Sequence, residues 1–276
     1  MTTYIEPFLG GGAVALSLMP NQPTPFLRWP GGKRKLAKEI IAHLKVPTPT
    51  RFVLADINPQ LIDLWRAVRD DADSLLHKLH QHPRTVEGYK HLRTVTAMPD
   101  VTLYLNLFCF NGLQRVNSKG QFNTPPDKVR LEKLNLDTVS RNVLAVSRSL
   151  RSVDVTFLAQ WYAETIRCAQ SGDYVYCDPP YVGTFTGYAK GGFGEEEQAD
   201  LIYEVGAATI KGAVVAVSNS KVAKDFYVNM CREYSQVWPT SLHPTFHPLT
   251  AHRSIAAKSS SRGAAQEILV TLSHPA

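Results

Sequence analysis

Short apolar runs, rich in β-branched and aromatic residues, recur along the chain. They occupy residues 4–7, 52–55, 153–157, 174–177, 213–217 and 268–272. Runs of this length with few polar interruptions are typical of strands buried on both faces of a mostly parallel sheet. The sequence therefore predicts a strand at each of these places.

Amphipathic stretches lie between some of the predicted strands. Residues 33–44 carry Leu36, Ile40, Ile41 and Leu44 on one helical stripe, and residues 61–68 and 195–210 have similar patterns. Strands that alternate with helices indicate an α/β, doubly wound, Rossmann-like domain. A further helix is expected to start at Ala13.

Residues 65–150 interrupt this alternation, because they are helical in pattern, basic and poor in strand signals. They also contain a polar stretch at 111–126. We interpret 65–150 as a second, mostly helical domain inserted into an α/β domain formed by 1–64 and 151–276. The alternative is a long, decorated crossover within one domain, and the local excess of positive charge favours the insertion.

Positive charge is concentrated in two segments of a chain whose net charge is +6. Residues 81–151 hold eleven Lys and Arg against five Asp and Glu, and residues 21–45 hold six against Glu39 alone. Clustered positive charge indicates a polyanionic partner, of which nucleic acid is the commonest.

Several other classes of protein are disfavoured. No apolar run approaches the roughly 18 residues of a membrane span, and the first residues do not resemble a signal peptide. The four cysteines lack the spacing of a zinc site or a disulfide framework. We expect a cytoplasmic protein that needs no metal and no obligate protein partner.

The motif Asp178-Pro179-Pro180-Tyr181 directly follows the predicted strand at 174–177. The prolines cannot extend the strand, and they stiffen the turn at its carboxyl end, which is where open α/β sheets bind ligands. A flat base could stack on Tyr181 while its amino group donates to Asp178 and to a proline carbonyl. An ordinary turn is the alternative, and the position after a strand favours the functional interpretation.

Two further segments follow predicted strands. Glycines at 10, 11 and 12 follow Glu6-Pro7-Phe8-Leu9 and allow close approach of a ligand, although a tight strand-to-helix turn explains them equally well. Asp56 ends the second strand, where an acidic residue commonly binds ribose hydroxyls; it could also cap the following helix.

Two loops combine aromatic and basic residues. Arg28 and Trp29 precede a Pro-Gly-Gly turn and Lys33, which is either a binding loop or a surface loop. Residues 108–115 place aromatic side chains around Asn111-Gly112 and end at Arg115. This segment suits a hairpin inserted into DNA, with Arg115 able to read guanine, or else a plain hairpin turn at Asn111-Gly112.

Taken together, these segments resemble the Dam-type DNA adenine-N6 methyltransferases of the alpha group and D12 class. The similar segments are FLRWPGGK (26–33), EPFLGGGAV (6–14), LADIN (54–58), YLNLFCFNGLQRVNSKGQFNTP (104–125), VYCDPPY (175–181), FTGY (185–188), VSN (217–219) and RSIAA with QEILV (253–270). They span nearly the whole chain.

The resemblance implies a Rossmann-like methyltransferase fold, S-adenosylmethionine as the cofactor and double-stranded DNA as the partner. It also implies a role for each matching residue. The catalytic motif would be Asp178, Pro179, Pro180 and Tyr181. The cofactor pocket would contain Phe8, Gly10, Gly12, Trp29, Lys33, Asp56, Ile57 and Asp178. DNA would be contacted by Arg28, Phe110, Asn111, Leu113, Arg115, Asn117, Lys119 and Arg253, with a recognition hairpin at about 104–125.

The order of two segments departs from the family. RWPGGK ordinarily precedes EPFxGxG, whereas here residues 6–12 come before residues 28–33. The helix at 33–44 must then reach its usual place through the linker at 20–25. This requires both segments to pack on the same face of the sheet.

The resemblance implies direct methyl transfer to N6 of adenine without a covalent enzyme intermediate, at a base turned out of the duplex, with GATC as the expected site. Two alternatives stay open at this point. One is an amino-methyltransferase with another substrate: cytosine N4, RNA or a protein glutamine. The other is a catalytically impaired DNA-binding protein of the same fold, with a cofactor pocket disrupted by the exchanged segments.

Overall fold

The computed structural model describes residues 2–29, 31, 33–95, 98–113, 115–117, 121–182, 193–253 and 263–273, with only the backbone of 250–253 and 263–266. Its strands are β1 (Thr3–Glu6), β2 (Arg51–Asp56), β3 (Asp154–Ala159), β4 (Tyr174–Cys177), β5 (Val214–Ser220), β6 (His243–Arg253) and β7 (Gly263–Ser273). Its α-helices are α1 (Ala13–Leu18), α2 (Ala37–Leu44), α3 (Pro59–Asp70), α4 (Ala72–Gln81), α5 (Val86–Leu92), α6 (Pro99–Phe108), α7 (Lys128–Lys133), α8 (Leu136–Arg151), α9 (Tyr162–Arg167), α10 (Glu195–Ile210) and α11 (Lys224–Tyr234).

The strands form one seven-stranded sheet in the order β3-β2-β1-β4-β5-β7-β6. Strands β1 to β5 pair in parallel, whereas β7 is antiparallel to both of its neighbours, β5 and β6. Parallel pairing requires a crossover between successive strands, and helices supply it. The predicted α/β fold is therefore confirmed.

Alternate residues of the strands are buried on opposite faces of the sheet. Tyr4 belongs to a hydrophobic cluster that includes residues of α1, α2, α3 and α8. The next residue, Ile5, belongs to a second cluster with residues of α9, α10 and α11. Because side chains alternate along a strand, an apolar residue is needed at every position, which explains the uninterrupted runs in the sequence.

Strand β6 was not predicted, because Pro244 and Pro248 interrupt its sequence. It lies at the edge of the sheet, where β7 is its partner. The two prolines are four positions apart, so their missing N–H groups fall on the same side of the strand. An edge strand tolerates prolines on the side without a neighbouring strand.

The helices from α3 to α8 connect β2 to β3. Their buried residues, including Leu79, Tyr89, Tyr104 and Val143, belong to the same hydrophobic cluster as Tyr4 of the sheet. The division into domains at 65 and 150 stays a prediction. Among the described residues, no helix is long and apolar enough to cross a membrane.

Candidate active site

Three carboxylates lie at the carboxyl ends of adjacent strands. Glu6 ends β1, Asp56 ends β2 and Asp178 follows β4, and these strands are neighbours in the sheet. Burial raises the pKa of each carboxyl group above its ordinary value. The sheet thus concentrates acidic groups at the edge where α/β proteins bind ligands.

Glu6 belongs to a predicted motif, but no role was assigned to it from the sequence. Its Oε2 accepts hydrogen bonds from the Tyr4 hydroxyl at 2.9 Å and from the Ala15 backbone N–H at 3.1 Å. Burial raises the pKa of Glu6 from 4.5 to about 8, and the nearby Asp178 adds to the shift. Glu6 therefore joins the first strand to the start of α1 as a largely protonated acid.

This shift makes stability depend on pH. The folded protein holds a proton on Glu6 between pH 4.5 and about 8, whereas the unfolded chain releases it. The free energy of unfolding should therefore fall as pH rises through this window, by up to about 1.4 kcal/mol per unit. Urea titrations should show that Glu6→Gln, which retains an acceptor oxygen, removes this component. Parallel pH profiles for variant and parent would contradict the assignment.

Asp56 joins the glycine-rich turn to the loop after β2. Its Oδ2 accepts from the Gly10 N–H at 3.0 Å, and its Oδ1 accepts from the Asn58 N–H at 3.0 Å. The alternative role of Asp56 as a helix cap is wrong. Asn58 caps α3 instead, because its side chain accepts from the first turn and Pro59 begins the helix.

Trp29 packs against the glycine-rich turn. A Cβ added to Gly10 would lie 2.4 Å from Trp29 Nε1, and one added to Gly12 would lie 2.8 Å from the Trp65 ring. Both glycines also have positive φ angles, of 48° and 64°. Larger residues would displace the two indoles. The two segments in exchanged order, residues 6–12 and 28–33, are thus in contact. Helices α1 and α2 also contribute to the same hydrophobic cluster, so both segments pack on one face of the sheet, as their exchanged order requires.

Phe8 lies in a group of aromatic rings. Its ring stacks on Tyr162 at 5.2 Å between centroids and meets Phe193 edge-on at 5.8 Å. Ile57, also predicted for the cofactor pocket, is 51% exposed at the end of β2. Tyr162 and Phe193 were not identified from the sequence, since neither stands in a motif that we recognised.

Lys33 connects the Asp178–Tyr181 motif to Glu267 of β7. Its Nζ lies 3.0 Å from Asp178 Oδ1 and 3.2 Å from Glu267 Oε2, and it also donates to the Tyr181 hydroxyl. Tyr181 donates in turn to Glu267 Oε2 at 2.8 Å. Lys33, predicted for the cofactor pocket, therefore has its ammonium group on the Asp178–Tyr181 motif.

Two buried amides hold the loop that carries this motif. Gln198 of α10 donates from Nε2 to the Pro180 carbonyl at 2.7 Å. Asn219 of β5 donates to Gln198 Oε1 at 3.1 Å and accepts from the Val182 N–H at 3.1 Å. Both amides are almost fully buried, at 1% and 0% exposure. The loop is thus fixed on both sides of Tyr181.

The predicted recognition hairpin is shorter than expected. Residues 104–108 belong to α6, and isolated bridges pair Cys109 with Pro126 and Val116 with Phe122. Asn111 and Gly112 form a tight turn, with φ angles of 55° and 67° and the Leu113 N–H donating to the Phe110 carbonyl at 3.2 Å. The interpretation as a plain hairpin turn is nevertheless wrong, because Cys109, just before this turn, pairs with Pro126. Helix α6 is buried along most of its length and continues to Phe108, so the paired segment starts at Cys109.

Arg28 lies at the base of this hairpin. Its backbone N–H donates to Asn106 Oδ1 at 3.0 Å, and Asn106 Nδ2 donates to its carbonyl at 2.8 Å. Its guanidinium donates to the Cys109 carbonyl at 3.3 Å. Arg28 is therefore tied to the end of α6 and to the first hairpin residue, which places it with the other predicted DNA-binding residues.

The remaining predicted DNA-binding residues differ in exposure. Phe110 is 44% exposed and Leu113 is only 5% exposed. Arg115 and Asn117 are partly exposed; Asn117 N–H donates to the Gln121 carbonyl at 2.9 Å. Lys119 and the side chain of Arg253 lie outside the described residues, as does the segment at 185–188.

The sheet order, with an antiparallel seventh strand and acidic groups at the carboxyl ends of the parallel strands, defines a Rossmann-like methyltransferase. Residues 45–239 match the family described as D12 class N6 adenine-specific DNA methyltransferase. The chain belongs to this family, as its motifs predicted.

Relatives of known name agree with this assignment. The chain is 30% identical to the type II methyltransferase M1.LlaDCHI of Lactococcus lactis, over 90% of this chain and 94% of that protein. It is 28% identical to the Retron Ec67 DNA adenine methylase of Escherichia coli, over 88% and 89%. It is 31% identical to the DNA adenine methylase of Vibrio cholerae, over 70% and 80%.

Proposed function

We propose that the protein transfers a methyl group from S-adenosylmethionine to N6 of adenine within GATC in duplex DNA. The main support is the position of Asp178. It is held directly after β4, next to Glu6 at the end of β1 and one strand further from Asp56 at the end of β2, in a chain that belongs to the adenine-specific family.

The residues at this edge fit the groups of the proposed cofactor. Asp56 is a carboxylate that can accept from ribose hydroxyls, and the turn at Gly10 and Gly12 adds no side chains beside it, with Trp29 packed on Gly10 and Trp65 on Gly12. Phe8 and Ile57 provide apolar surface beside them. S-adenosylmethionine would supply an electrophilic methyl group on a sulfonium. The protein then has to exclude water and align an acceptor nitrogen.

Asp178 and the backbone of Pro179 would align that nitrogen. A carboxylate and a carbonyl that accept from the adenine amino group direct its lone pair towards the methyl carbon. The Asp178 charge also stabilises the positive charge that N6 gains during transfer. Since no nucleophilic side chain is involved, most of the acceleration would come from orientation. Pro180 contributes a fixed backbone, because its carbonyl already accepts from Gln198.

The target base must leave the duplex before it can reach Asp178, which requires a few kcal/mol of unstacking and unpairing. Phe110, exposed at the base of the hairpin, would fill the vacated stack. Arg115 would read a base, supported by Asn111, Leu113 and Asn117. Arg28, Lys119 and Arg253 would contact DNA beside it, with Arg28 directed at a base and Arg253 at backbone phosphate.

We expect Tyr181→Ala to weaken capture of the displaced base more than binding of the cofactor. Stacking of a base on an aromatic ring contributes about 1–3 kcal/mol. A fluorescent adenine analogue at the target position should therefore brighten less with Tyr181→Ala than with the parent. Tyr181→Phe is the control: it keeps the ring and loses the hydroxyl contacts with Lys33 and Glu267. Equal brightening with Tyr181→Ala would exclude this ring as the stacking surface.

The proposed preference for GATC rests on the resemblance of residues 104–125 and Arg28 to the Dam-type DNA adenine methyltransferases. Methylation-sensitive sequencing of DNA treated with the protein and S-adenosylmethionine should find methyladenine mainly in GATC. Methyladenine mainly outside GATC would refute the sequence preference but not the reaction. Modified cytosine in place of adenine would refute the reaction itself.

A further inference from the structure

Lys33 is buried between two carboxylates. Its side chain is 7% exposed, that of Glu267 is 0% exposed, and that of Asp178 is 19% exposed. The distances from its Nζ to the two carboxylates differ little, at 3.0 and 3.2 Å. One carboxylate is enough to neutralise one buried cation. The presence of a second carboxylate beside Lys33 therefore has to be explained.

The second carboxylate is explained by the role of Asp178 in the proposed reaction. In the proposed reaction, the Asp178 carboxylate must accept hydrogen bonds from the adenine amino group. It would then have less capacity to hold Lys33, and a buried cation without a counter-ion is strongly unfavourable. Lys33 would consequently compete with the substrate for Asp178, unless a second carboxylate neutralised it.

We propose that Glu267 is a positioning residue that serves as the resident counter-ion of Lys33 and thereby makes Asp178 available to the target adenine. This inference rests on the proposed function. Tyr181 takes part in the same arrangement, because its hydroxyl donates to Glu267 Oε2 at 2.8 Å while Lys33 donates to that hydroxyl. When Asp178 binds the target base, Lys33 therefore stays paired with Glu267. The two contacts of the Tyr181 hydroxyl hold its ring in place.

The charges support this assignment. One lysine beside two carboxylates gives the group a net negative charge at the place where N6 becomes positive. Without the Glu267 charge, Lys33 and Asp178 would form a neutral pair and the stabilisation of that positive charge would be lost. Glu267 thus acts through Lys33 and Asp178 without contacting the substrate.

Glu267→Gln tests the proposal, since it removes the charge and retains the shape. The folded protein should be as stable as the parent or more stable, because the Lys33–Asp178 pair remains and a buried charge is gone. Binding of the displaced fluorescent base should fall by about tenfold or more, and so should the turnover rate. Affinity for duplex DNA should stay unchanged, because contacts with phosphates contribute most of it. Base capture and turnover equal to the parent would overturn the proposal.

Glu204→Gln is the matched control. Glu204 is a glutamate of α10 with a side chain 4% exposed, and it accepts from Arg167 Nε at 3.0 Å, outside the group around Lys33. The Glu204→Gln substitution should leave binding of the displaced base unchanged, even if it changes the stability of the protein. A loss of base capture with Glu204→Gln equal to that with Glu267→Gln would make the effect a general result of removing buried charge, and would overturn the proposal.

A double-mutant cycle with Lys33→Met decides the counter-ion role without DNA. Lys33→Met leaves two buried carboxylates facing each other, so Glu267→Gln should raise stability more in that background than in the parent. If the Glu267 side chain only fills space in β7, the Glu267→Gln substitution should lower stability equally in both backgrounds. Failure of the parent to brighten the base would refute the proposed function, whereas this cycle would still measure the Lys33–Glu267 pair.

Discussion

Asp178→Ala should reduce methyl transfer by about a hundred- to a thousandfold, the range expected when one group that stabilises developing charge is removed. Duplex affinity should change little, because basic residues of the hairpin and helices contribute most of the attraction to phosphate. Single-turnover rates and duplex binding, measured on the same preparation, would separate the two effects.

Asp178→Asn provides the control. It keeps one acceptor oxygen but loses the charge that pairs with Lys33 Nζ at 3.0 Å. Its rate should fall between those of Asp178→Ala and the parent. Turnover by Asp178→Ala within about tenfold of the parent would remove Asp178 from the catalytic role, since a group that orients the reacting nitrogen contributes more than that.

Arg115→Ala should relax discrimination at a single position of the recognition site. An arginine that presents its planar guanidinium to guanine O6 and N7 contributes about 1–3 kcal/mol at that base pair. The structure places Arg115 in the hairpin, where its carbonyl accepts from the Asn123 N–H at 2.9 Å. Initial methylation rates on the parent site and on its single-base variants would measure the loss.

Lys119→Ala should behave differently, as a phosphate contact would. It should weaken binding to all sequences alike and lower the salt dependence by about one unit. Rates at two salt concentrations distinguish the two classes of residue. If Arg115→Ala weakened every site equally and left the ratio between cognate and altered sites unchanged, Arg115 would belong with the phosphate contacts. The hairpin would then lose its main support as the specificity element.

Local sequence patterns predicted much of the sheet and part of the site. The apolar runs at 174–177 and 52–55 became β4 and β2, because a strand buried on both faces has no polar positions. Asp178 and Asp56 could be located from these runs alone, since each lies at the carboxyl end of its strand.

Long-range partners could not be predicted in the same way. Lys33 and Glu267 are 234 positions apart along the chain, and nothing near Glu267 marks it as a counter-ion. Gln198 stands within a polar helical start that also suits a solvated surface, yet it is 1% exposed and holds the Pro180 carbonyl. Packing of α10 against the sheet, and not local sequence, buries this amide.

The predictions about catalysis and recognition depend on the proposed transfer of a methyl group to N6 of adenine in duplex DNA at the site around Asp178. The most direct measurement is nucleoside mass spectrometry of DNA incubated with the protein and isotopically labelled S-adenosylmethionine. Labelled N6-methyldeoxyadenosine is expected with the parent, and almost none is expected with Asp178→Ala. Absence of label with the parent, or label only in cytosine, would contradict the proposed function.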